Sequence, residues 1–165
     1  MIRLAEMIDL PAIEGVYAAA RAFMLSHGNP HQWCDWGYPE HELLVSDIEK
    51  RQLYVIEENE AIHGVFAFIL GDDPTYAVIE DGQWPNALPY GTIHRIAGDG
   101  AVRGLVRSAL AFALERADQV RADTHHDNYP MQGALQKCGF VRCGIIHLQS
   151  GDPRIAYQFS KEANP

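Results

Sequence analysis

No stretch of this chain approaches the length of an apolar membrane span, which excludes a transmembrane helix. Cysteine is scarce. Cys34, Cys138 and Cys143 are odd in number and form no CxxC pair, so a disulfide framework is not expected and a reducing cytoplasm is. Positive charge is short as well: 13 Lys and Arg stand against 22 Asp and Glu, a formal charge of −9. That balance argues against a general nucleic-acid binder, which needs a basic face. The opening Met1–Glu6 lacks the pattern of a signal peptide, and repeats, low-complexity tracts and linkers are absent. Histidine is plentiful, yet His125-His126, His147 and the two later cysteines match no zinc-ligand spacing. No metal site is expected, and His125-His126 reads as a loop after a strand.

What is present suits one globular domain over 1–165. Hydrophobic residues make up 47% and charged residues 21%. Arg3-Leu4 reads as a short opening strand. Asp9 and Pro11 mark a helix start, and Ile13, Val16, Tyr17, Ala20, Phe23 and Met24 then recur at helical spacing, which predicts a helix over 11–26. An aromatic-rich loop at 31–39 precedes a second helix over about 40–50. Gln52–Glu57 and Ala61–Leu70 read as a hairpin around Glu58-Asn59-Glu60. The second of these strands is apolar on both faces, which predicts a central position. Residues 71–90, with three prolines and Tyr76, Trp84 and Tyr90, make a connection long enough to suggest function.

The segment 91–140 is the most informative. It reads as a strand over 91–97, a turn over 98–104 and an amphipathic helix from Leu105 to Arg116. A second strand over Gln119–Thr124 follows, then a second helix opened at Asp127–Met131 and stopped at Cys138-Gly139-Phe140. N–H groups exposed at a helix start form a phosphate site. Gly104 lets the backbone come close to a ligand, Arg103 and Arg107 add charge-assisted contacts, and Ser108 adds a hydroxyl. Arg95, Arg103, Arg107, Arg116 and Arg121 cluster near this turn, so a small anionic ligand is expected there. Strands over 141–148 and 154–159 flank the turn 149–153, and Lys161–Pro165 is a tail. The order β-α-α-β-β-β-α-β-α-β-β calls for a mixed sheet covered by helices on both faces.

These residues carry a resemblance that covers most of the chain. Ile93–Ala97, Val102–Leu110 and Asn128-Tyr129-Pro130-Met131 with Gly139-Phe140 resemble the GNAT superfamily of acyl-CoA-dependent N-acetyltransferases. Asn128, Gly139 and Phe140 match its closing signature in full. Its turn, Gln/Arg-x-x-Gly-x-Gly/Ala, falls on Ala101, Gly104 and Val106, and only Gly104 fits. The chain is also similar to a bacterial branch of that superfamily through Gln32-Trp33, Tyr38-Pro39, Gly64-Val65-Phe66, Trp84, His94-Arg95-Ile96-Ala97, Asp123–Asn128 and Cys143-Gly144-Ile145-Ile146.

The resemblance implies an α+β fold: a mixed, mostly antiparallel sheet of about six to seven strands with helices on both faces. It implies acetyl-CoA as cofactor and direct acetyl transfer to a primary amine of a small molecule or peptide, with no nucleic acid and no membrane as partner. Many members pair as homodimers. N–H groups of Val102, Arg103, Gly104, Leu105, Val106, Arg107 and Ser108 would hold the pyrophosphate. The backbone of Ile96, Ala97 and Gly98 would pair with the pantetheine arm, and Asn128 would contact the cofactor arm. The family's frequent tyrosine acid, seven residues after the Asn, is Leu135 here.

Acetyl transfer needs a deprotonated amine placed against a thioester. Candidate bases are His94, Tyr129 and His147, with His94 preferred because histidine titrates near working pH. Cys138, at a helix end, is a poor nucleophile because the dipole raises its pKa. Trp33, Trp36, Tyr38, Phe66, Tyr76, Trp84 and Tyr90 are candidates to line the acceptor pocket. Asp35, Asp72, Asp73 and Glu80 are candidates to attract a cation. The rival reading is an acyl-CoA-binding or sensing domain without catalysis, which Val106 and Leu135 favour. A nucleotide-binding α/β protein would carry its glycine turn after the first strand, whereas this chain has it late. Arg107→Glu is expected to weaken CoA binding in a calorimetric titration, and unchanged affinity would count against the turn.

Overall fold

Val65 and Ala67 on one face of a single strand, and Phe66 and Phe68 on the other, are all buried. A strand apolar on both faces must be covered twice, and this one is. The computed structural model describes residues 1–162, so the last three residues of the expected tail lie outside the described ones. The elements are β1 (Ile2–Leu4), α1 (Leu10–Ser26), α2 (His41–Glu49), β2 (Leu53–Glu58), β3 (Ala61–Leu70), β4 (Gly91–Gly98), α3 (Leu105–Leu114), β5 (Gln119–Thr124), α4 (Tyr129–Lys137), β6 (Val141–His147) and β7 (Pro153–Ser160).

The strands form one seven-stranded sheet in the order β1-β2-β3-β4-β5-β7-β6. Every neighbouring pair is antiparallel except β4 and β5. On one face, Ile13, Val16, Tyr17 and Ala20 of α1 and Leu44 and Ile48 of α2 pack on Leu53, Val55, Val65 and Ala67. On the other, Val106, Ala109, Leu110 and Ala113 of α3 and Leu135 of α4 pack on Phe66, Phe68, Ile93 and Val120. The β2–β3 hairpin turns through Asn59 and Glu60, both at positive φ (52° and 62°), as a two-residue loop with matching strand twist requires. No helix among the described residues is long and apolar enough to cross a membrane.

Two irregularities make the sheet more than a scaffold. The parallel pair β4 and β5 is joined only at Gly91–Val120 and Thr92–Arg121. Beyond Thr92 the two strands part, and the sheet opens between them. The second irregularity is a bulge in β4, where the register with β3 shifts between Val65 and Ala67 and Arg95 takes a φ of 53°. A bulge re-aims side chains, and here the aim is into the opening.

The long segment after β3 is ordered against β6. It makes a single tight turn at Pro74–Tyr76, and Glu80 then exchanges two backbone hydrogen bonds with Ile145, each 2.8 Å. Two glycines permit that approach. A Cβ on Gly82 would lie 1.9 Å from the Cys143 carbonyl oxygen, and one on Gly144 would lie 2.4 Å from that of Glu80. Both obstacles are backbone. Gly82→Ala and Gly144→Ala are each expected to destabilise the protein by about 1–3 kcal/mol in chemical denaturation. Gly133→Ala, inside α4 with nothing within 4 Å of its Cβ position, is expected to stabilise by about 0.5–1 kcal/mol.

Candidate active site

The opening between β4 and β5 leads into a cavity of about 570 Å³. Ile93, His94, Arg95 and Ile96 line it from β4, and Ala122, Asp123 and Thr124 from β5. Gln32, Trp33, Trp36, Tyr38 and Glu40 close it from the α1–α2 connection. Met131 and Leu135 of α4 form its apolar flank, and Leu148, Ser150, Asp152 and Arg154 of the β6–β7 hairpin form the remaining wall. This size and mixed lining suit a small-molecule site.

The bulge that turns β4 into the cavity is held at three points. The buried Tyr17 hydroxyl donates to the Arg95 carbonyl at 2.7 Å. The Arg95 guanidinium pairs with the buried Asp47 carboxylate at 2.8 Å, and its Nη1 donates to the Tyr38 hydroxyl at 3.2 Å. Asp47 also accepts from Gln52 at 2.8 Å. Burial on its own would lower the Arg95 pKa, but Tyr38 and Asp47 outweigh it and the net shift is upward.

His94 enters the cavity beside that bulge, with Nε2 2.9 Å from Asp73 Oδ2. Asp73 is itself fixed, since its Oδ1 accepts from the backbone and the hydroxyl of Thr75 at 2.8 and 2.7 Å. Its own N–H donates to the Tyr90 hydroxyl at 2.8 Å. Burial would raise the Asp73 pKa, yet the hydrogen bonds from His94 and Thr75 overcome this and hold it at about 2. Asp73 is therefore a carboxylate that orients the imidazole, with His94 Nδ1 left for other work. Close by, the Tyr76 hydroxyl donates to Asp123 Oδ2 at 2.6 Å, and burial followed by the charge of Asp123 pushes the Tyr76 pKa far up.

The turn after β4 lies at the outer end of the opening. Gly104, at a φ of 75°, caps α3, and the first N–H of the helix returned to the chain is that of Ser108, which donates to Gly104 O at 2.9 Å. The N–H groups ahead of it are the unpaired ones of a helix start. Val106 is buried in the apolar layer under α3, so its side chain does not obstruct the exposed backbone of the turn. Leu105 packs across Gly98, where a Cβ would lie 2.2 Å from its Cδ1. The carboxylate of Asp99, next to it, accepts from Ala101 N at 2.9 Å and bonds His63 at 2.8 Å. The Asn128 side chain caps α4 through Met131 N at 3.2 Å and donates to Gln32 Oε1 at 2.9 Å, which ties α4 to the α1–α2 connection beside the cavity.

The structure brings His94, Ile96, Val106, Asn128, Trp33 and Tyr38 together around the cavity, with the turn 98–104 at its outer end. It separates others. Tyr129 is 72% exposed at the first turn of α4, and His147 is exposed at the end of β6; neither lines the cavity. Phe66 does not line it either, because it is sealed between Tyr54 and Phe112, each 5.6 Å away between ring centres. Trp84 stacks on the Arg121 guanidinium at 3.8 Å, opposite Tyr90 at 3.9 Å, and donates to the Tyr76 carbonyl at 2.9 Å. Tyr76 lies behind the wall, its ring 6.2 Å from that of His94. These aromatics build the support of the cavity rather than its surface.

Of the four acidic candidates only Asp73 reaches the cavity. Asp123 and Arg154 were not singled out for the site. Asp123 stands inside the Asp123–Asn128 signature, where it had a signal. Arg154 follows the Asp152-Pro153 turn and had none. His125, His126 and Asp127 each place a donor atom within 4.8 Å of the others, but His125 Nδ1 already accepts the Asp127 N–H at 3.1 Å, as a turn-forming residue does.

No family model matches the chain, and no curated protein matches it either. Solved structures do. The crystal structure of a GNAT-family acetyltransferase from Streptococcus agalactiae 2603 is 32% identical, with a TM-score of 0.89 over 98% of this chain and 95% of that one. The ribosomal-protein-S18-alanine N-acetyltransferase of Escherichia coli is 16% identical, with a TM-score of 0.64 over 100% and 96%. The protein yncA of Salmonella typhimurium, solved with its cofactor acetyl-CoA, is 16% identical, with a TM-score of 0.62 over 99% and 95%. The latter two share the fold alone. The first shares both fold and sequence along nearly the whole length, and on that ground this chain belongs to the GNAT family of acetyltransferases.

Proposed function

We propose that the protein moves an acetyl group from acetyl-CoA to a primary amine of a small molecule or peptide, directly and with both bound at once. The observation that carries this reading is the His94–Asp73 pair facing the cavity at the parting of the sheet. The residues present fit the cofactor. The α3 start offers unpaired N–H groups for a pyrophosphate over 102–108, with Arg103 and Arg107 exposed beside them. The edge of β4 at Ile96, Ala97 and Gly98, unpaired with β5, offers backbone groups to an extended arm. Asn128 would reach that arm from the α4 start.

Acetyl-CoA supplies the activated thioester. His94 accepts the amine proton at Nδ1, directly or through one water, while Asp73 holds Nε2 and stabilises the imidazolium that forms. As the amine nitrogen bonds to the acetyl carbon, the carbon–sulfur bond breaks and CoA leaves as its thiol. Leu135 has no proton to give to the departing sulfur, so the proton that His94 took from the amine passes on to it. The apolar flank of Met131 and Leu135 keeps water from the thioester side. Pairing as a homodimer, which the resemblance implies, is part of the same proposal.

Calorimetric titration is expected to give micromolar acetyl-CoA binding with no binding of ATP or NAD. Thiol release over an amine panel separates transfer from the rival reading, which predicts binding without release. His94→Ala is expected to lower kcat by about 100-fold or more with acetyl-CoA affinity kept, and an unchanged kcat would remove His94 as the base. Asp73 also has a stability signature. Its folded pKa of about 2 lies below the ordinary 3.8, so its ionised form stabilises the fold above about pH 4 and that contribution is lost as pH falls through about 2. The Tm of Asp73→Asn is expected to be lower than the parent's near neutrality, with the gap closing toward about pH 2 in scanning calorimetry.

A further inference from the structure

A guanidinium in the cavity wall has no counter-ion. Arg154 is 6% exposed. It stands at the start of β7, opposite Ile146 of β6, and its recorded hydrogen bond runs from Nη1 to the neighbouring Pro153 carbonyl at 2.9 Å. Among the described residues no carboxylate lies within ion-pair distance of it, whereas Arg95, Arg3 and Arg116 each have one. A buried cation left in this state is costly, and here the cost is visible: burial pushes its pKa down, with Asp123, Asp152 and Tyr38 countering from a distance. The remaining donors of the fork belong to a side chain that lines the cavity. On the next strand Thr124, fully buried in the same lining, has a hydroxyl with no partner among the described residues. Of the turn proposed to hold the pyrophosphate, only Val106 lines the cavity, and no residue from 97 to 105 does.

We infer that the acceptor is an amine that also carries a carboxylate, an amino acid or a close relative of one, and that Arg154 binds that carboxylate. This rests on the acetyl-transfer reading above. The cavity lining presents both kinds of group such a molecule needs. Asp73, Asp123 and Asp152 in the lining favour an ammonium, and His94 takes its proton. Arg154 offers a planar donor fork matched to a carboxylate. A polyamine would satisfy the acids and leave the guanidinium unpaired and repelled. A zwitterion satisfies both, and in a cavity of about 570 Å³ shared with the end of the cofactor arm, an acceptor of amino-acid size is what fits.

The test uses matched sets: phenylalanine, phenethylamine and phenylalanine methyl ester; leucine, isoamylamine and leucine methyl ester; 4-aminobutyrate, propylamine and methyl 4-aminobutyrate. Calorimetric binding of each to the protein saturated with CoA reads the carboxylate preference without needing turnover, and thiol release with acetyl-CoA reads transfer. At least one acid is expected to bind about 100-fold more tightly than its ester and its decarboxylated amine. Arg154→Gln is expected to erase that margin by weakening the acid alone, as a rise in KM rather than a fall in kcat. Arg154→Lys should keep part of the margin, and acetyl-CoA affinity, unchanged in both variants, confirms that they fold. Equal binding of acid, ester and amine, binding of none, or an undiminished margin in Arg154→Gln overturns the inference. Carboxylate-selective binding without thiol release leaves the Arg154 site standing and overturns the transfer reading instead.

Discussion

The buried ion pair between Asp47 and Arg95 is the constraint on which the rest depends. Arg95 has a backbone conformation that a side-chain-bearing residue adopts at a cost of about 1–3 kcal/mol, and it does so in the middle of the sheet. Asp47 and Tyr38 hold its side chain, and Tyr17 holds its carbonyl. α1, α2 and the connection between them thus converge on one residue of β4. Without that grip β4 would have no reason to bulge, and without the bulge consecutive residues would alternate between the two faces of the sheet. Instead His94, Arg95 and Ile96 all reach the same cavity.

A second tier of polar contacts carries the bulge outward into chemistry. The segment after β3 lies down on β6, and this places Asp73 against His94 and Tyr76 against Asp123. Arg121, clamped between Trp84 and Tyr90 and bonded to Gln158 at 2.9 Å, fastens the same segment to the middle of the sheet. Burial pushes the Arg121 pKa down, so the two rings are an environment that tolerates the cation by cation–π contact rather than by charge. The aromatic residues of this segment therefore act as fasteners, and the acids and the histidine that they position act as the site.

The sequence was most legible where periodicity was strong. The helical spacing of Ile13, Val16, Tyr17 and Ala20, the two-sided apolar run of β3 and the strand–turn–helix at 91–114 all formed as their patterns require, because both faces of the sheet had to be covered. The glycine turn was legible for the same reason. The cavity was legible only in part. His94 was found by chemistry and Trp33 and Tyr38 by composition, but an aromatic ring reads the same in sequence whether it faces the cavity, as Tyr38 does, or seals a layer, as Phe66 does. Asp73 was one acid among four until the fold chose it. Arg154 was invisible, since an arginine after a turn usually points to water and only the tertiary fold buries this one.

The β6–β7 hairpin has an evolutionary consequence. Leu148, Ser150, Asp152 and Arg154 reach the cavity from one short loop and its two flanks, whereas β4 and the turn that follows it are tied to α1, α2 and β3. A change in the hairpin tip disturbs neither the grip on Arg95 nor the helix start at Gly104. The lining supplied by the hairpin can therefore drift by substitution in a handful of positions while the bulge of β4 and the start of α3 stay fixed, so that relatives sharing this architecture can reshape the cavity without passing through a form that has lost the opening in the sheet.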